Sequence, residues 1–540
     1  MDTNPASLPA TGFPWLTCLI LVPVLGAALV AGLDTQRPRL ARALGLFMQL
    51  VALAIAIGLW FHFDPRRGGV QFVERHPWIP SVNVEYYLAV DGLGLVMVLL
   101  AAVVVPFALL AEWRRLGEAP SVSRGGVTST PHPRAFVALL LFMQAGLFGA
   151  FTALNFVHWF VFWELTLVPA YFLIKLWGGP GRSPAANQFF IYTMLGSVTL
   201  LLSMLALFLV TGSFDFQALA EKGRTGELAS LLSIKLGWYD LSTRFLALVV
   251  FGGAFLGFAV KVPLFPFHTW LPAAYSEAPT GVSMVLTGVM SKMGVYGFLR
   301  ILLPIFPEQM RWVMTPLLWL AVLTIVLSAW AALAQRDLKR MVAYSSINHL
   351  GYCLLGIFAV AKFTTSDPRW TTEKAAALDG VVLQMFNHGI AASALFYFVG
   401  LLEQRVGRRG LDDFGGLRKV APVFCGLMGI ALFASLGLPG LNGFIGEFLI
   451  FKGVFPLASW AAALSTLGLL VTAIFLLTFM QRVWSGPLPP RRQGFADLTL
   501  GERCIALPAI ALMFILGVWP QFLLEVVNPT VLQMVEGLKL

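Results

Sequence analysis

Polar positions are the exception along this chain. Apolar runs of about twenty residues follow one another from residue 13 to residue 526, parted by short stretches rich in Arg, Asp, Gly and Pro. About 20 apolar residues at 1.5 Å each cross the roughly 30 Å of hydrocarbon in a bilayer. The pattern predicts spanning helices near 13–33, 42–62, 88–111, 135–154, 156–176, 188–211, 244–275, 281–303, 312–334, 340–361, 378–403, 420–455, 459–481 and 504–526. That is about fourteen, of which 244–275 and 420–455 are broken by Pro and Gly. The alternating ten-residue segments of a membrane barrel are not found. The fold class is therefore an all-α polytopic membrane protein.

The arginines gather in the short stretches between runs. They include Arg37 and Arg39 in 34–41 (with Arg42 at its edge), and Arg114, Arg115, Arg124 and Arg134 in 112–134. Arg336, Lys339 and Arg340 follow in 335–340, then Arg405, Arg408, Arg409, Arg418 and Lys419 in 404–419, and Arg482, Arg491, Arg492 and Arg503 in 482–503. If helices alternate and each broken run counts once, these loops share one side, which the positive-inside bias makes cytoplasmic. The N-terminus then lies outside. Loop 63–87 runs against the pattern with Arg66, Arg67 and Arg75, although Asp64, Glu74 and Glu85 dilute it. The long polar loops 212–243 and 362–377 face outside, and neither is long enough for a separate domain.

Composition agrees. Of 540 residues, 58% are hydrophobic and 12% charged, where a soluble protein carries roughly twice that charge. The net charge of +10 sets orientation and is not a nucleic-acid signal. Cys18, Cys353, Cys425 and Cys504 lie far apart and the seven histidines are scattered, so no haem, iron–sulfur or zinc spacing is present. No basic segment precedes the first apolar run, which reads as a retained helix.

Charges inside these runs are the candidate chemistry, since each costs at least about 2.5–3.5 kcal/mol at the bilayer centre. Glu164 lies about 16 Å from Lys175, which sits near a helix end and snorkels. Lys261 stands midway along 244–275, just ahead of Pro263, Pro266 and Pro272. Lys292 is about 12 Å inside the helix end marked by Arg300. His349 and His388 are each nine residues, about 14 Å, from helix ends marked by Arg340 and Asp379. A buried lysine sheds its proton near neutral pH unless a carboxylate restores the charged form, so a movable Glu–Lys pair is a switch. Imidazoles at matching depth suit a proton relay, although a lone buried histidine also serves as a core residue. His268 either joins such a relay or bonds carbonyls freed by the prolines. The second break, Gly437-Leu438-Pro439-Gly440-Leu441-Asn442-Gly443, precedes Glu447, and Lys452 either pairs with it or lies at an interface. Two broken segments in corresponding places point to a transporter of two halves. The division is 1–134 for N-terminal helices, 135–303 and 312–481 for the halves, and 482–540 for a C-terminal loop and helix. Six protonatable groups at comparable depth favour ion movement over a solute/proton symporter, and a structural scaffold leaves their cost unexplained.

Phe162-Trp163-Glu164-Leu165, Lys261-Val262-Pro263-Leu264-Phe265-Pro266-Phe267-His268, Glu277-Ala278-Pro279-Thr280 and Ser291-Lys292-Met293-Gly294 resemble the antiporter-like membrane subunits of respiratory complex I. So do the run from Asp337-Leu338-Lys339-Arg340 to His349, Asn387-His388-Gly389, and Phe444-Ile445-Gly446-Glu447-Phe448. The resemblance covers about 150–455, and an acidic residue at Glu447 is similar to the M-type branch, whose sister branches carry lysine there. It implies fourteen core helices, two inverted repeats of five, and a proton channel. In that channel Glu164 and Lys261 interact, Lys292, His349 and His388 form the axis, and Glu447 ends it.

The resemblance also implies no cofactor in this chain. NADH, FMN, iron–sulfur clusters and quinone fall to partner subunits, namely the other membrane subunits and the peripheral electron-transfer arm, in a bacterial inner membrane. Multi-subunit cation/proton antiporters and membrane-bound hydrogenases share these motifs and are the alternative. The departures are Leu271-Pro272-Ala273-Ala274-Tyr275, where the family has Leu-Pro-Asp-Ala-His, a long 362–377 loop, and Lys452.

Overall fold

The computed structural model describes residues 12–117, 132–232, 234–236, 239–241, 243–362 and 368–538. Among them, twelve helices are long and apolar enough to cross a membrane, and Trp15–Ala31 and Pro422–Leu436 are shorter apolar helices. Three helices form the centre. Thr280–Ile305, Leu338–Val360 and Pro368–Val406 are buried nearly all round, whereas Pro38–His62, Arg182–Thr211 and Ser459–Trp484 turn much of their apolar surface outward. Helices buried on every face have no solvated side for polar groups, so Lys292, His349 and His388 must find partners within the protein.

Both expected breaks are present. Thr243–Lys261 ends just before Pro263, and a second short helix, Leu271–Glu277, follows the interruption. Pro263 has no N–H to give, and the carbonyls it strands are taken up locally. Leu264 N donates to Ala259 O at 2.8 Å, and the Trp270 indole donates to Val260 O at 3.0 Å. Farther on, Phe265 N is received by Thr324 Oγ1 at 3.0 Å. In the second break, Pro422–Leu436 closes on Gly437 and Asn442–Leu457 begins after Gly440. These glycines have φ of +78° and +92°, a region side chains disfavour.

The cationic loops meet at one end of the bundle. Arg42 bonds Trp113 O, Arg134 bonds Leu33 O, and Arg114 and Arg405 both reach Glu502. Arg409 contacts Asp337, while Arg482 and Arg491 reach Asp412 and Asp413. The discordant loop 63–87 lies with the opposite set, where Arg75 pairs with Asp215 at 3.0 Å and Asn83 bonds Gly212 O. Arg124, residues 1–11 and residues 363–367 fall outside the described residues.

Four boundaries differ from the apolar pattern. Residues 71–90 form an antiparallel hairpin, Gln71–Ile79 with Val84–Val90, so the helix expected from 88 starts at Gly92. Its N-cap is Asp91, whose Oδ1 accepts Gly94 N. Within 212–243, Phe216–Arg224 and Glu227–Leu231 are helical and Ile234–Leu236 pairs with Tyr239–Leu241. The expected loop 362–377 is helical from Pro368, so Asp379 does not mark a helix end. The C-terminal segment extends beyond 504–526 as Leu500–Val518 and Gln521–Gly537, with a kink at Trp519-Pro520. It runs alongside Pro368–Val406 from Glu502, beside Arg405, to Gln533, whose Oε1 accepts Gly69 N at 3.1 Å.

Candidate functional site

The two breaks and the three central helices bring the midplane residues together. Lys292 lies in Ser291–Gly297, a stretch bracketed by two π-turns, Leu286–Met290 and Phe298–Leu302. Such wide turns disturb the backbone ladder, and Lys292 Nζ accordingly donates to the Thr287 carbonyl five residues back. It also approaches Ser291 Oγ at 3.4 Å and His388 Nδ1 at 2.8 Å. With Lys292 charged, His388 Nδ1 is the unprotonated ring nitrogen. Glycine makes this approach possible. A Cβ on Gly389 would stand 2.7 Å from Gly288 O, so the two helices touch backbone to backbone beside the pair.

The His388 ring centroid is 5.2 Å from that of His349. His349 Nδ1 lies 2.9 Å from Glu447 Oε1, and its Nε2 is buried without a partner. Gln384 Nε2 donates to the same Glu447 oxygen at 3.2 Å. Glu447 Oε2 sits 2.9 Å from where a Cβ on Gly437 would be, so the second break leaves space for the carboxylate. Asn387 and Asn442 exchange amide-to-carbonyl bonds at 2.7 and 3.2 Å, which fixes the new helix start against Pro368–Val406. Lys292, His388, His349, Gln384 and Glu447 thus form one buried series in which each side chain meets the next.

The other predicted residues sit differently. Lys261 is buried at the last turn before the first break, its Nζ 4.7 Å from the centroid of the Trp163 ring. Trp163 is itself held by Ser197 Oγ at 3.0 Å. Glu164 is close enough to act on Lys261 electrostatically, but among the described residues the two make no ion pair, and Glu164 Oε1 is buried without a partner. The His268 ring rests against Phe265, and its Nδ1 has no partner. Lys175 bonds Tyr171 Oη at 2.6 Å and approaches Asn187 Oδ1 at 3.4 Å near its helix end. Lys452 is exposed and makes no ion pair with Glu447, which is turned to His349.

The family model described as NADH:quinone oxidoreductase/Mrp antiporter, TM, matches residues 153–474. NADH-quinone oxidoreductase subunit M of Mycobacterium tuberculosis is 35% identical, over 96% of this chain and 93% of that protein. The chain belongs to the NADH:quinone oxidoreductase/Mrp antiporter membrane family.

Similar chains also appear among the solved structures. A chain of respiratory complex I from Thermus thermophilus with bound NADH has a TM-score of 0.80 and 29% identity, covering 97% of this chain and 99% of that one. A chain of the Mrp complex from Dietzia sp. shares the fold at a TM-score of 0.80 and 20% identity, over 96% and 98%. The chain is accordingly a multi-pass protein of the bacterial plasma membrane. Sequence reasoning passed over Gln384, although it stands one helical turn from His388 on the same face. It also passed over Trp163, the ring that Lys261 rests on, whose only signal was adjacency to Glu164. Asp379 was read as a boundary, yet it is buried inside a spanning helix.

Proposed function

We propose that this chain is the M-type proton-translocating subunit of an NADH:quinone oxidoreductase. The observation that carries the reading is the buried series from Lys292 through His388 and His349 to Glu447. In this reading 135–303 and 312–481 are the two functional halves, and the 2.8 Å approach of Lys292 to His388 joins them. Glu164 and Lys261 are the input. When Glu164 closes on Lys261 it holds the proton there, and when it withdraws, Lys261 releases that proton towards Lys292. His388, His349 and Glu447 then pass it on. Water fills the gaps, since Lys261 makes no direct bond to Lys292 and His388 none to His349. NADH oxidation, with FMN and the iron–sulfur clusters, and quinone reduction belong to partner subunits, and this chain carries no redox centre of its own. The other membrane subunits and the peripheral arm are its partners.

The shared fold with the Mrp complex favours one second reading, a subunit of a multi-subunit cation/proton antiporter. A mild-detergent pull-down of the tagged chain from native membranes separates the two. Copurified iron–sulfur partners with NADH:quinone activity support the first, and hydrophobic partners without electron transfer support the second. In the reconstituted complex Lys261→Ala is expected to lower proton transport per NADH well before it lowers assembly. Normal transport in the assembled variant refutes the switch.

A further inference from the structure

Leu338–Val360 packs on Ser459–Trp484 through a second set of polar groups, beside the series above but not part of it. Asn348, Tyr352, Ser465 and Thr472 are all buried. Thr472 Oγ1 donates to Asn348 Oδ1 at 3.2 Å, and Asn348 Nδ2 donates to Ile325 O at 2.8 Å. The two hydroxyls left over, Tyr352 Oη and Ser465 Oγ, are buried without a hydrogen-bond partner, as His349 Nε2 is. Burying a polar atom unpaired is costly, and water is what completes such atoms inside a protein.

Tyr352 joins this set to the relay. It stands three residues after His349 and four after Asn348, so it neighbours both on the helix surface. Its ring meets the His349 ring edge-on with centroids 5.9 Å apart, and the Phe451 ring at 5.6 Å. Glu447, one turn before Phe451, is near enough to act on Tyr352 electrostatically. The phenol reaches Ser459–Trp484 at Gly468, where a Cβ would stand 3.3 Å from Tyr352 Oη and 3.2 Å from Asn348 Nδ2. Ser465 lies one turn from Gly468 on the same face. Leu338–Val360 begins, and Ser459–Trp484 ends, among the arginine loops. Tyr352 is therefore one turn beyond His349 towards the opposite end, and Ser465 is one turn beyond Gly468 the same way. Ser459 closes that helix about 9 Å farther on, past the small buried residues Ala462 and Ala461. There Lys362 Nζ donates to Leu457 O at 2.9 Å.

We propose that Tyr352 and Ser465 carry the proton from the His349–Glu447 pair towards the end opposite the arginine loops, with water bridging the hydroxyls. In each hop a hydroxyl oxygen accepts one proton and the hydroxyl releases its own on the other side. The phenol and the alcohol thus stay neutral, and no electron is transferred. The inference rests on the relay reading above, and the test keeps the two apart.

The complex is prepared with Tyr352→Phe, Ser465→Ala or Glu447→Gln, quantified by flavin content, and reconstituted into proteoliposomes. Protons transported per NADH oxidised are measured, and so is the passive proton leak without NADH. Tyr352→Phe keeps the ring that packs on His349 and Phe451 and removes only the O–H. The expected result is that Tyr352→Phe and Ser465→Ala each lower the ratio as far as Glu447→Gln does, with the leak at its wild-type value. An unchanged ratio in either assembled variant, with a lowered one in Glu447→Gln, overturns the proposal and leaves the relay standing. A lowered ratio that comes with a raised leak also overturns it, since loosened packing and not a blocked path is then the cause. An unchanged ratio in all three overturns the relay, and the proposal with it. Where Tyr352→Phe does not assemble, Ser465→Ala decides by the same two readings.

Discussion

Arg409 ties the cationic end of the bundle together, and its removal has a calculable cost. Its guanidinium donates to Asp337 Oδ2 and Ser276 O, each at 2.5 Å, to Glu277 Oε1 at 2.8 Å and to Glu403 Oε1 at 3.1 Å. These acceptors belong to the short helix after the first break, the N-cap of Leu338–Val360 and the last turn of Pro368–Val406. Arg409→Leu keeps much of the volume and removes every bond. A hydrogen bond to a charged group contributes about 1.5–3 kcal/mol, but the four do not add, because each carboxylate keeps another donor. Glu277 retains Gly181 N at 2.7 Å, Asp337 retains Arg340 N at 3.0 Å, and Glu403 retains Lys339 Nζ at 2.6 Å. What is left uncompensated is the Ser276 carbonyl and the repulsion among three carboxylates. The expected loss is about 3 kcal/mol, the low end for breaking a buried pair. Burial pushes the guanidinium down, but Asp337, Glu277 and Glu403 outweigh it and hold Arg409 above its ordinary value. A raised group gives its full stabilisation below its unfolded value, so this contribution is flat across the neutral range. Thermal denaturation of the solubilised complex reads the effect as a midpoint about 2–3 °C lower, equal at each neutral pH. Arg409→Lys, one ammonium in place of a planar fork, is expected to recover less than half. An unchanged midpoint in Arg409→Leu, or full recovery in Arg409→Lys, refutes the reasoning.

Two further outcomes are expected. Lys292→Met leaves His388 Nδ1 and the Thr287 carbonyl without their donor, at about 1–3 kcal/mol each, too little to unfold so large a core. The complex should assemble with normal flavin content and lose coupled proton transport, and an unchanged proton-to-NADH ratio refutes the role given to Lys292. Asp497 caps Pro422–Leu436 by accepting Val423 N at 3.0 Å and Phe424 N at 2.8 Å. Asp497→Ala is expected to cost about 1–2 kcal/mol in thermal stability. Burial raises the Asp497 carboxyl, but the N–H groups of Leu498, Phe424 and Val423, with Arg503, outweigh it and hold it below the usual carboxylate range. A depressed carboxyl stabilises above its unfolded pKa and loses that contribution as pH falls through the folded one. The gap in melting temperature between wild type and Asp497→Ala should therefore narrow in acid, and a gap that persists refutes the cap as a charged one.

The fold was legible wherever bilayer physics acts on single residues, and obscure wherever a neighbour decides. Long apolar runs announce helices because no other open structure satisfies its backbone in lipid. Lys261, Lys292, His349, His388 and Glu447 stood out because charge inside such runs is expensive. The hairpin Gln71–Ile79 with Val84–Val90 was missed because its second strand merges into the apolar run that follows. Asp379 was misread for a related reason. Glu373, Lys374 and Asp379 lie close together in sequence, and on a rim helix such spacing would mark the exit from hydrocarbon. Here the helix is enclosed by others, so the charges are covered by protein and the span continues through them to Pro368. The same enclosure explains why the order of the relay could not be read from spacing. Which imidazole meets which partner depends on how closely Pro368–Val406 approaches Thr280–Ile305 and Asn442–Leu457. Glycines set that distance at both contacts, Gly389 against Gly288 on one side and Gly380 against Gly446 on the other. Added side chains there would part the helices and open the 2.8 Å and 2.9 Å approaches that join Lys292 to His388 and His349 to Glu447. The charged residues supply the proton sites, and the silent glycines between them determine whether those sites are in reach of one another.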